Sequence, residues 1–454
     1  MNQANKSFTN HLSRRAFLKA SAGAAATAAL AACVPAAAPA GEGGASEPAP
    51  ARNLTVWAHR SFAPPADEIL LNNIQTWATE NGVDLELVAE IEVPTMNDRL
   101  VAAIESGNLP DMSAIAGGRI ALHYPANIYA DVSDLYADLA EEYGGFFRPA
   151  EQMATIDGSQ WVIPYSIDTS LMHYRQDILD ENGLSVPTTW DEFVNAMETA
   201  QNPPDLYGAG IGLNLAAGDA ENTFKLMLLG FGGAWSNEAG NEIVINSEAT
   251  HEWLNYVITN IWERGILPPN AFEYDNATNN ADYQNGSVIA VHNPASVLVW
   301  LLENNPEMAA NTAIAGVPAG PEGAFNSAGI RVCWSIFNSA SEENQQLSGD
   351  LLRYLWEPAQ YEPWIALAFA SPALAQYEEM EMWDDPQRAG FLEAAKTGVL
   401  SAHPSPITPA SSELLSRNPT LAMVLRVIID EWTMEEAIAE AETVAMDIYS
   451  KYDL

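Results

Sequence analysis

The sequence predicts an α/β protein organised in two lobes, and three observations carry that expectation. Strand-like apolar segments alternate with segments of helical period in the order β-α-β-α-β over residues 54–116, which is the order of a mostly parallel sheet with helices on both faces. The chain has 454 residues, more than one ordinary domain holds. Hydrophobic residues make up 48% of it, with 13 Trp, 15 Tyr and 13 Phe, enough to fill large cores.

The elements follow in chain order. Leu54-Thr55-Val56-Trp57-Ala58 is rich in β-branched and aromatic residues and reads as the first strand. Asp67 to Glu80 carries Ile69, Leu70, Ile74 and Trp77 on one side of a helix. Val83-Asp84-Leu85-Glu86-Leu87 alternates apolar and acidic residues, as a half-buried strand does. Asn97 to Ser106 turns Leu100, Val101 and Ile104 inward, and Gly107 supplies the C-terminal stop. Asp111 to Ala116 is the third strand. Farther on, Thr189-Trp190-Asp191-Glu192 predicts a capping box ahead of Phe193, Val194 and Met197. Ser247 is placed to cap a helix through Trp253, Leu254, Val257, Ile258 and Ile261 that ends near Gly265. Val288 to Val291 is a short strand, and Ser341 to Trp356 a helix stopped by Pro358. Thr433-Met434-Glu435-Glu436 is a second capping box, opening a C-terminal helix that carries Ile438, Ala441, Val444, Ala445 and Ile448.

Charge narrows the function classes. The formal net charge is −41, and residues 1–32 hold four cations and no acid, which leaves −45 on residues 33–454. Such a surface repels nucleic acid and anionic lipid headgroups. The acids are spread along the chain, as on a solvated surface. Beyond residue 32 the only lysines are Lys225, Lys396 and Lys451. There are two cysteines, Cys33 and Cys333, and seven scattered histidines, so no zinc site and no other metal or cofactor site is expected. No P-loop, G-x-S-x-G, HExxH or kinase signature occurs, so the chain is not itself a transport ATPase.

The N-terminus carries export signals. Ser13-Arg14-Arg15-Ala16-Phe17-Leu18-Lys19 matches the twin-arginine pattern, and an Ala-rich run follows from Ala20 to Ala32. That run is too short and small-sided to span a bilayer comfortably. Leu30-Ala31-Ala32-Cys33 resembles a bacterial lipobox. Residues 1–32 therefore read as a twin-arginine lipoprotein signal peptide, with Cys33 lipidated and the protein held outside the cytoplasmic membrane by that anchor alone. Residues 33–52, rich in Pro, Ala, Gly and Ser, read as a disordered tether.

Several ordered segments carry a family likeness over about residues 53–454. They are Leu54-Thr55-Val56-Trp57, Ala103 through Met112 with its Pro-Asp, and Ile163-Pro164-Tyr165 followed by Tyr174-Arg175-Gln176-Asp177-Ile178-Leu179. Pro187-Thr188-Thr189-Trp190-Asp191-Glu192-Phe193 and Asn285-Gly286-Ser287-Val288-Ile289-Ala290 complete the set. Together they resemble the extracellular solute-binding proteins of bacterial ABC importers, the sugar-binding type that includes maltodextrin-binding proteins. The resemblance implies a two-lobed periplasmic-binding-protein-like fold (type II), with discontinuous lobes and a hinge. Lobe 1 would comprise 53–166 plus 328–372, and lobe 2 would comprise 167–327 plus 373–454. It implies a non-enzymatic monomer that binds a mono- or oligosaccharide between its lobes and delivers it to a membrane permease served by a separate ATPase.

Sugar sites combine aromatic faces with planar polar side chains, on loops at the carboxyl ends of strands. The likeness maps a polar pair after the first strand onto Arg60 and Ser61, an arginine after the third onto Arg119, and a carboxylate at the crossing onto Asp168, next to Tyr165. Glu221, Asn222 and Thr223 match a polar ligand loop, and Trp235 a platform at the lobe edge. Asn293 follows the Val288 strand, and Arg331 and Trp334 flank the second crossing. The chain departs from the maltodextrin binders at two aromatic positions, where Ser296 and Ile115 stand. Those departures favour a smaller or differently shaped solute. Arg60, Arg119 and Arg331 could instead converge on phosphate, as in a binder of sn-glycerol-3-phosphate type. A glycoside hydrolase would need paired carboxylates, which 60 acidic residues do not identify without geometry.

Overall fold

The computed structural model describes residues 52–60, 63–90, 93–115 and 119–452. The signal peptide, Cys33, most of the tether and Ser61 lie outside the described residues. Among the described residues no helix is long and apolar enough to cross a membrane.

The strands are β1 (Arg52–His59), β2 (Val83–Glu90), β3 (Met112–Ile115), β4 (Ile163–Asp168), β5 (Ser170–Arg175), β6 (Tyr207–Ala209), β7 (Val288–Pro294), β8 (Thr312–Ala315), β9 (Gly329–Ile336) and β10 (Ser371–Pro372). The helices that matter here are α1 (Pro64–Glu80), α2 (Val93–Ser106), α3 (Ile120–His123), α4 (Trp190–Ala200), α5 (Gly218–Gly230) and α6 (Glu248–Tyr256). They continue with α7 (Glu342–Trp356), α8 (Pro358–Ala368), α9 (Pro386–Thr397), α10 (Pro409–Leu415), α11 (Pro419–Ile428) and α12 (Met434–Tyr449).

Two sheets organise the chain. The first runs β10-β4-β9-β3-β1-β2. Its β1, β2 and β3 are parallel, while β9 is antiparallel to both β3 and β4. The second runs β8-β5-β7-β6. Only Thr169 separates β4 in the first sheet from β5 in the second, so the chain crosses there. It returns between β8 and β9. Each sheet has its own apolar core. Leu54, Val56, Leu70, Ile74, Tyr165, Trp334 and Trp356 belong to the first, and Met172, Phe193, Phe224, Trp253 and Val424 to the second. Ala373, Leu374, Tyr377, Ala395 and Leu400, which the resemblance put in lobe 2, pack in the first core. The Tyr377 ring lies 5.9 Å from that of Trp356 and 4.3 Å from that of Tyr361, which draws this segment to the first lobe.

Local chemistry explains the elements and their departures from expectation. Helix α1 starts three residues earlier than expected, because Pro64 and Pro65 occupy its first turn with φ already set. Ala116 lies outside the described residues, and strand β3 begins at Met112 and not at Asp111, whose carboxylate is turned to other work. That carboxylate accepts from the Thr55 N–H at 2.8 Å and from Asn344 Nδ2 at 2.9 Å, tying β1 to α7. Gly107 ends α2 at φ +70, where a side chain would be strained. The Thr433 box at α12 is complete. At α4 only half of the expected box forms. Thr189 accepts from the Glu192 N–H at 3.2 Å, but the Glu192 carboxylate reaches back to the Thr188 N–H at 2.9 Å. Pro358 does not merely stop α7; it opens α8.

Candidate functional site

A cavity of about 290 Å³ lies where the two lobes meet. Arg119, at the start of α3, reaches it from the first lobe. From the second lobe Gly218, Glu221, Asn222 and Lys225 face it, and their spacing puts them on one stripe of α5. Ser401 joins from the preceding segment, and Ser412, Leu415, Ser416 and Asn418 from α10 and the turn after it. Helix α10 packs against α3 across the lobes, which closes that side. Among the described residues the lining is therefore three serines, two asparagines, two cations and one carboxylate, with Leu415 its one apolar side chain. Asn222 Nδ2 donates to Ser327 Oγ at 3.1 Å, which fixes its amide plane. The Ser412 hydroxyl is buried with no hydrogen-bond partner among the described residues.

The Glu221 carboxylate is held at the N-terminus of α11. It accepts from the Leu421 N–H at 2.7 Å and the Thr420 N–H at 3.3 Å, two donors that the helix itself cannot satisfy. Burial raises its pKa while those bonds and Lys225 pull it down; burial likewise lowers that of Lys225 against the pull of Glu221. Coulombic attraction and the two N–H donors favour the charged forms, and we read both groups as ionised though not in ion-pair contact.

A second polar cluster lies beside this cavity, around Asp219, Thr223, Asn279 and His292. Burial pushes the Asp219 carboxyl up to about 7; an Asn279 hydrogen bond at 3.5 Å opposes this and the charge of Asp168 adds to it. Asp168, at the end of β4, thus stands close to Asp219 across the crossing. His292 bonds Thr223 Oγ1 at 2.8 Å and the Ser170 carbonyl at 3.1 Å, and burial brings its pKa down to about 4.

Of the residues singled out from the sequence, Arg119 and Asn222 line the cavity. Asp168 stands by the second cluster. Asn293 is buried in β7, with its Nδ2 unpartnered. Arg60 is exposed at the end of β1, and the Arg331 side chain lies outside the described set, so of the three arginines considered for phosphate only Arg119 is placed on the cavity. Three aromatic expectations are corrected. Tyr165 is wholly buried in the first core, its hydroxyl donating to the Leu355 carbonyl at 3.1 Å and its ring packed on Trp334, Trp356, Tyr361 and Trp364. Trp334 shares that core. Trp235 is not a platform: its Nε1 donates to Thr420 Oγ1 at 3.0 Å inside the second core. Glu221 and Thr223 sit within a helix, not a loop. Sequence reasoning missed Lys225 and the residues from Ser401 to Asn418. Lys225 had a signal, a lone lysine inside Thr223-Phe224-Lys225-Leu226-Met227-Leu228 in a chain almost without lysine.

The family profile described as bacterial extracellular solute-binding protein matches residues 73–390. The chain belongs to this family. As a solute-binding protein it is a receptor and not an enzyme, and the hydrolase alternative falls. It is 25% identical over 352 residues to the arabinooligosaccharide-binding protein of Halalkalibacterium halodurans, a match covering 74% of this chain and 73% of that one. In fold it is similar to maltose-bound MalE3 of T. maritima, with a TM-score of 0.75 at 18% identity over 87% of this chain and 99% of that one. It is similar also to a solute-binding protein of Thermotoga lettingae bound with α-D-tagatose, with a TM-score of 0.74 at 19% identity over 88% of this chain and 100% of that one. The strand order β2-β1-β3-β9-β4, with β9 inserted from the far end of the chain, is that of the type II two-lobed fold.

Proposed function

We propose that this solute-binding protein is the carbohydrate receptor of an ABC importer. The observation that carries the reading is the interlobe cavity, whose hydroxyls and amides suit a ligand made mostly of hydroxyl groups. The H. halodurans relative, named for binding arabinooligosaccharides, supports the same class. On this reading Arg119 and Asn222 contact the sugar from opposite lobes, with Ser416 and Asn418 completing its shell. Asn293 stands nearer the crossing, and Asp168 lies by the Asp219 cluster beside the cavity, outside its lining. The lobes close on the ligand by a hinge at the crossings, and the closed form is presented to a permease driven by a separate ATPase. The twin-arginine signal exports the chain and lipid on Cys33 holds it at the outer face of the membrane.

The test is a thermal-shift and calorimetric screen against arabinose, arabinooligosaccharides, hexoses, maltooligosaccharides, polyols and amino acids. A saccharide that raises the melting temperature, without being turned over, is the expected result. A shift with an amino acid and with no sugar refutes the carbohydrate reading. For the anchor, Cys33→Ala is expected to release the protein from the membrane fraction.

A further inference from the structure

The three lysines beyond residue 32 do not live alike. Lys396 pairs with Glu378, and Lys451 pairs with Glu413 at 2.6 Å. Lys225 is only 8% exposed, stands among apolar neighbours on α5, and lines the interlobe cavity. Among the described residues its ammonium makes no hydrogen bond and no ion pair. The ammonium is not among the buried unpartnered atoms, so it opens into the cavity with its donors free, in a chain that places lysine almost nowhere else. Glu221, one turn away, attracts it, but both Glu221 oxygens are already engaged by the first N–H groups of α11.

The cavity's charge is the second observation. Arg119 and Lys225 set against Glu221 leave a net charge of +1 on the lining of a protein whose total is −41. A neutral sugar can accept hydrogen bonds from both cations but leaves the excess positive charge uncompensated, and the surrounding acidity would keep anions away unless the site attracted them. Among the described residues the lining contains no aromatic ring, and its groups are mostly polar and charged.

We propose that the ligand is a sugar acid, a saccharide carrying one carboxylate, with that carboxylate taken by Lys225 and Arg119 and its hydroxyls by Asn222, Ser416 and Asn418. This rests on the carbohydrate reading above and narrows it. A carboxylate carries one negative charge and neutralises the lining. A phosphate monoester carries nearly two and leaves an uncompensated charge in a closed site. Two cations arriving from opposite lobes also make closure depend on the acid group, since each lobe supplies one partner. Lys225 therefore acts as the specificity-determining residue between an acidic sugar and its neutral counterpart.

The test is titration calorimetry on the purified protein with D-galacturonate, D-glucuronate and a trisaccharide ending in a uronate. Each is set against its neutral counterpart, and glucose 6-phosphate is added as a separate arm. At least one uronate is expected to bind about 10- to 100-fold tighter than its neutral partner, the range of a charge-assisted contact. Lys225→Met is expected to erase that ratio and Lys225→Arg to keep part of it. Methionine fills the same space, and replacing a buried charge by an apolar group of similar volume is commonly tolerated, which a melting curve checks. Arg119→Gln, at a partly exposed position, is the second variant and is expected to lower the same ratio. Equal affinity for uronate and neutral sugar, or a ratio unmoved by Lys225→Met, overturns the sugar-acid inference and leaves the carbohydrate reading standing. Preference for the sugar phosphate overturns the carboxylate assignment. Binding of no saccharide at all overturns both.

Discussion

At the scale of single residues, position in the fold decides what a side chain can do. Trp235 and a stacking tryptophan look the same in a sequence, yet Trp235 is 7% exposed and spends its indole N–H on Thr420. Trp235→Phe is therefore expected to cost about 1–2 kcal/mol, a lost buried hydrogen bond plus a small void, and to leave ligand affinity unchanged. Urea unfolding and calorimetry on the same variant check both halves; a tenfold loss of affinity would restore the platform reading. Asp219 titrates in the opposite sense to most carboxylates. Its folded pKa of about 7 lies above the ordinary 3.8, so its contribution to stability is full below about 4 and is lost as pH rises through 7. His292, lowered to about 4 from 6.5, contributes fully above 6.5 and loses that as pH falls through 4. The two trends oppose one another and flatten the profile of the parent protein. Asp219→Asn removes one of them. The variant is expected to gain on the parent by about 2 kcal/mol between pH 4 and pH 8, less than three pK units would carry because the residue stays partly solvated. Parallel melting curves of the two proteins show no such divergence if the carboxyl ionises normally.

At the scale of elements, the ends are set by local hydrogen bonds. Thr433 accepts from the Glu436 N–H at 3.2 Å and its own N–H donates to the Glu436 carboxylate at 2.9 Å. Thr433→Ala is expected to destabilise by about 1 kcal/mol and Thr433→Ser by almost nothing, measured as the shift in urea midpoint at constant slope. Such ends, the five elements from β1 to β3 and the second-core helices α4, α6 and α12 were legible because each rests on neighbours within a few residues; α5, α10 and α11 of the same core were not. What was not legible depends on distance along the chain. Strand β9 joins β3 and β4 from residue 329 onward, and no local pattern announces antiparallel insertion into a parallel sheet. The cavity illustrates the same limit. Arg119 and Asn222 were readable from motifs after strand three and along a polar stretch. Ser412, Ser416 and Asn418 meet them only because α10 packs on α3 from nearly 300 residues away, and a serine-rich segment carries no mark of where it folds. Aromatic residues misled for a related reason: the chemistry that stacks on a sugar also fills a core, and Tyr165 and Trp334 satisfy the second use.

At the scale of the whole molecule, charge acts twice and with opposite sign. Sixty acidic residues face 19 basic ones, so most carboxylates have no cation to pair with and repel each other across the surface. The pairs that form are mostly solvent-facing, such as Arg426 with Asp430 and Lys451 with Glu413, and contribute little each. Added salt shortens the Debye length from about 30 Å near 0.01 M to about 3 Å near 1 M, which relieves long-range repulsion far more than it weakens these contacts. The melting temperature is therefore expected to rise with sodium chloride across that range, by about 2–4 °C or less for each kcal/mol of repulsion removed in a chain of this size. Ligand binding responds the other way. An acidic sugar drawn to Lys225 and Arg119 loses attraction as the same salt screens its approach, while a neutral sugar does not. Stability rising with salt while uronate affinity falls, and galactose or glucose affinity stays level, is the combined signature of an acidic shell around a cationic cavity. A melting temperature that falls with salt would show that the exposed ion pairs outweigh the repulsion. A uronate affinity indifferent to salt would place the recognised group away from the two cations.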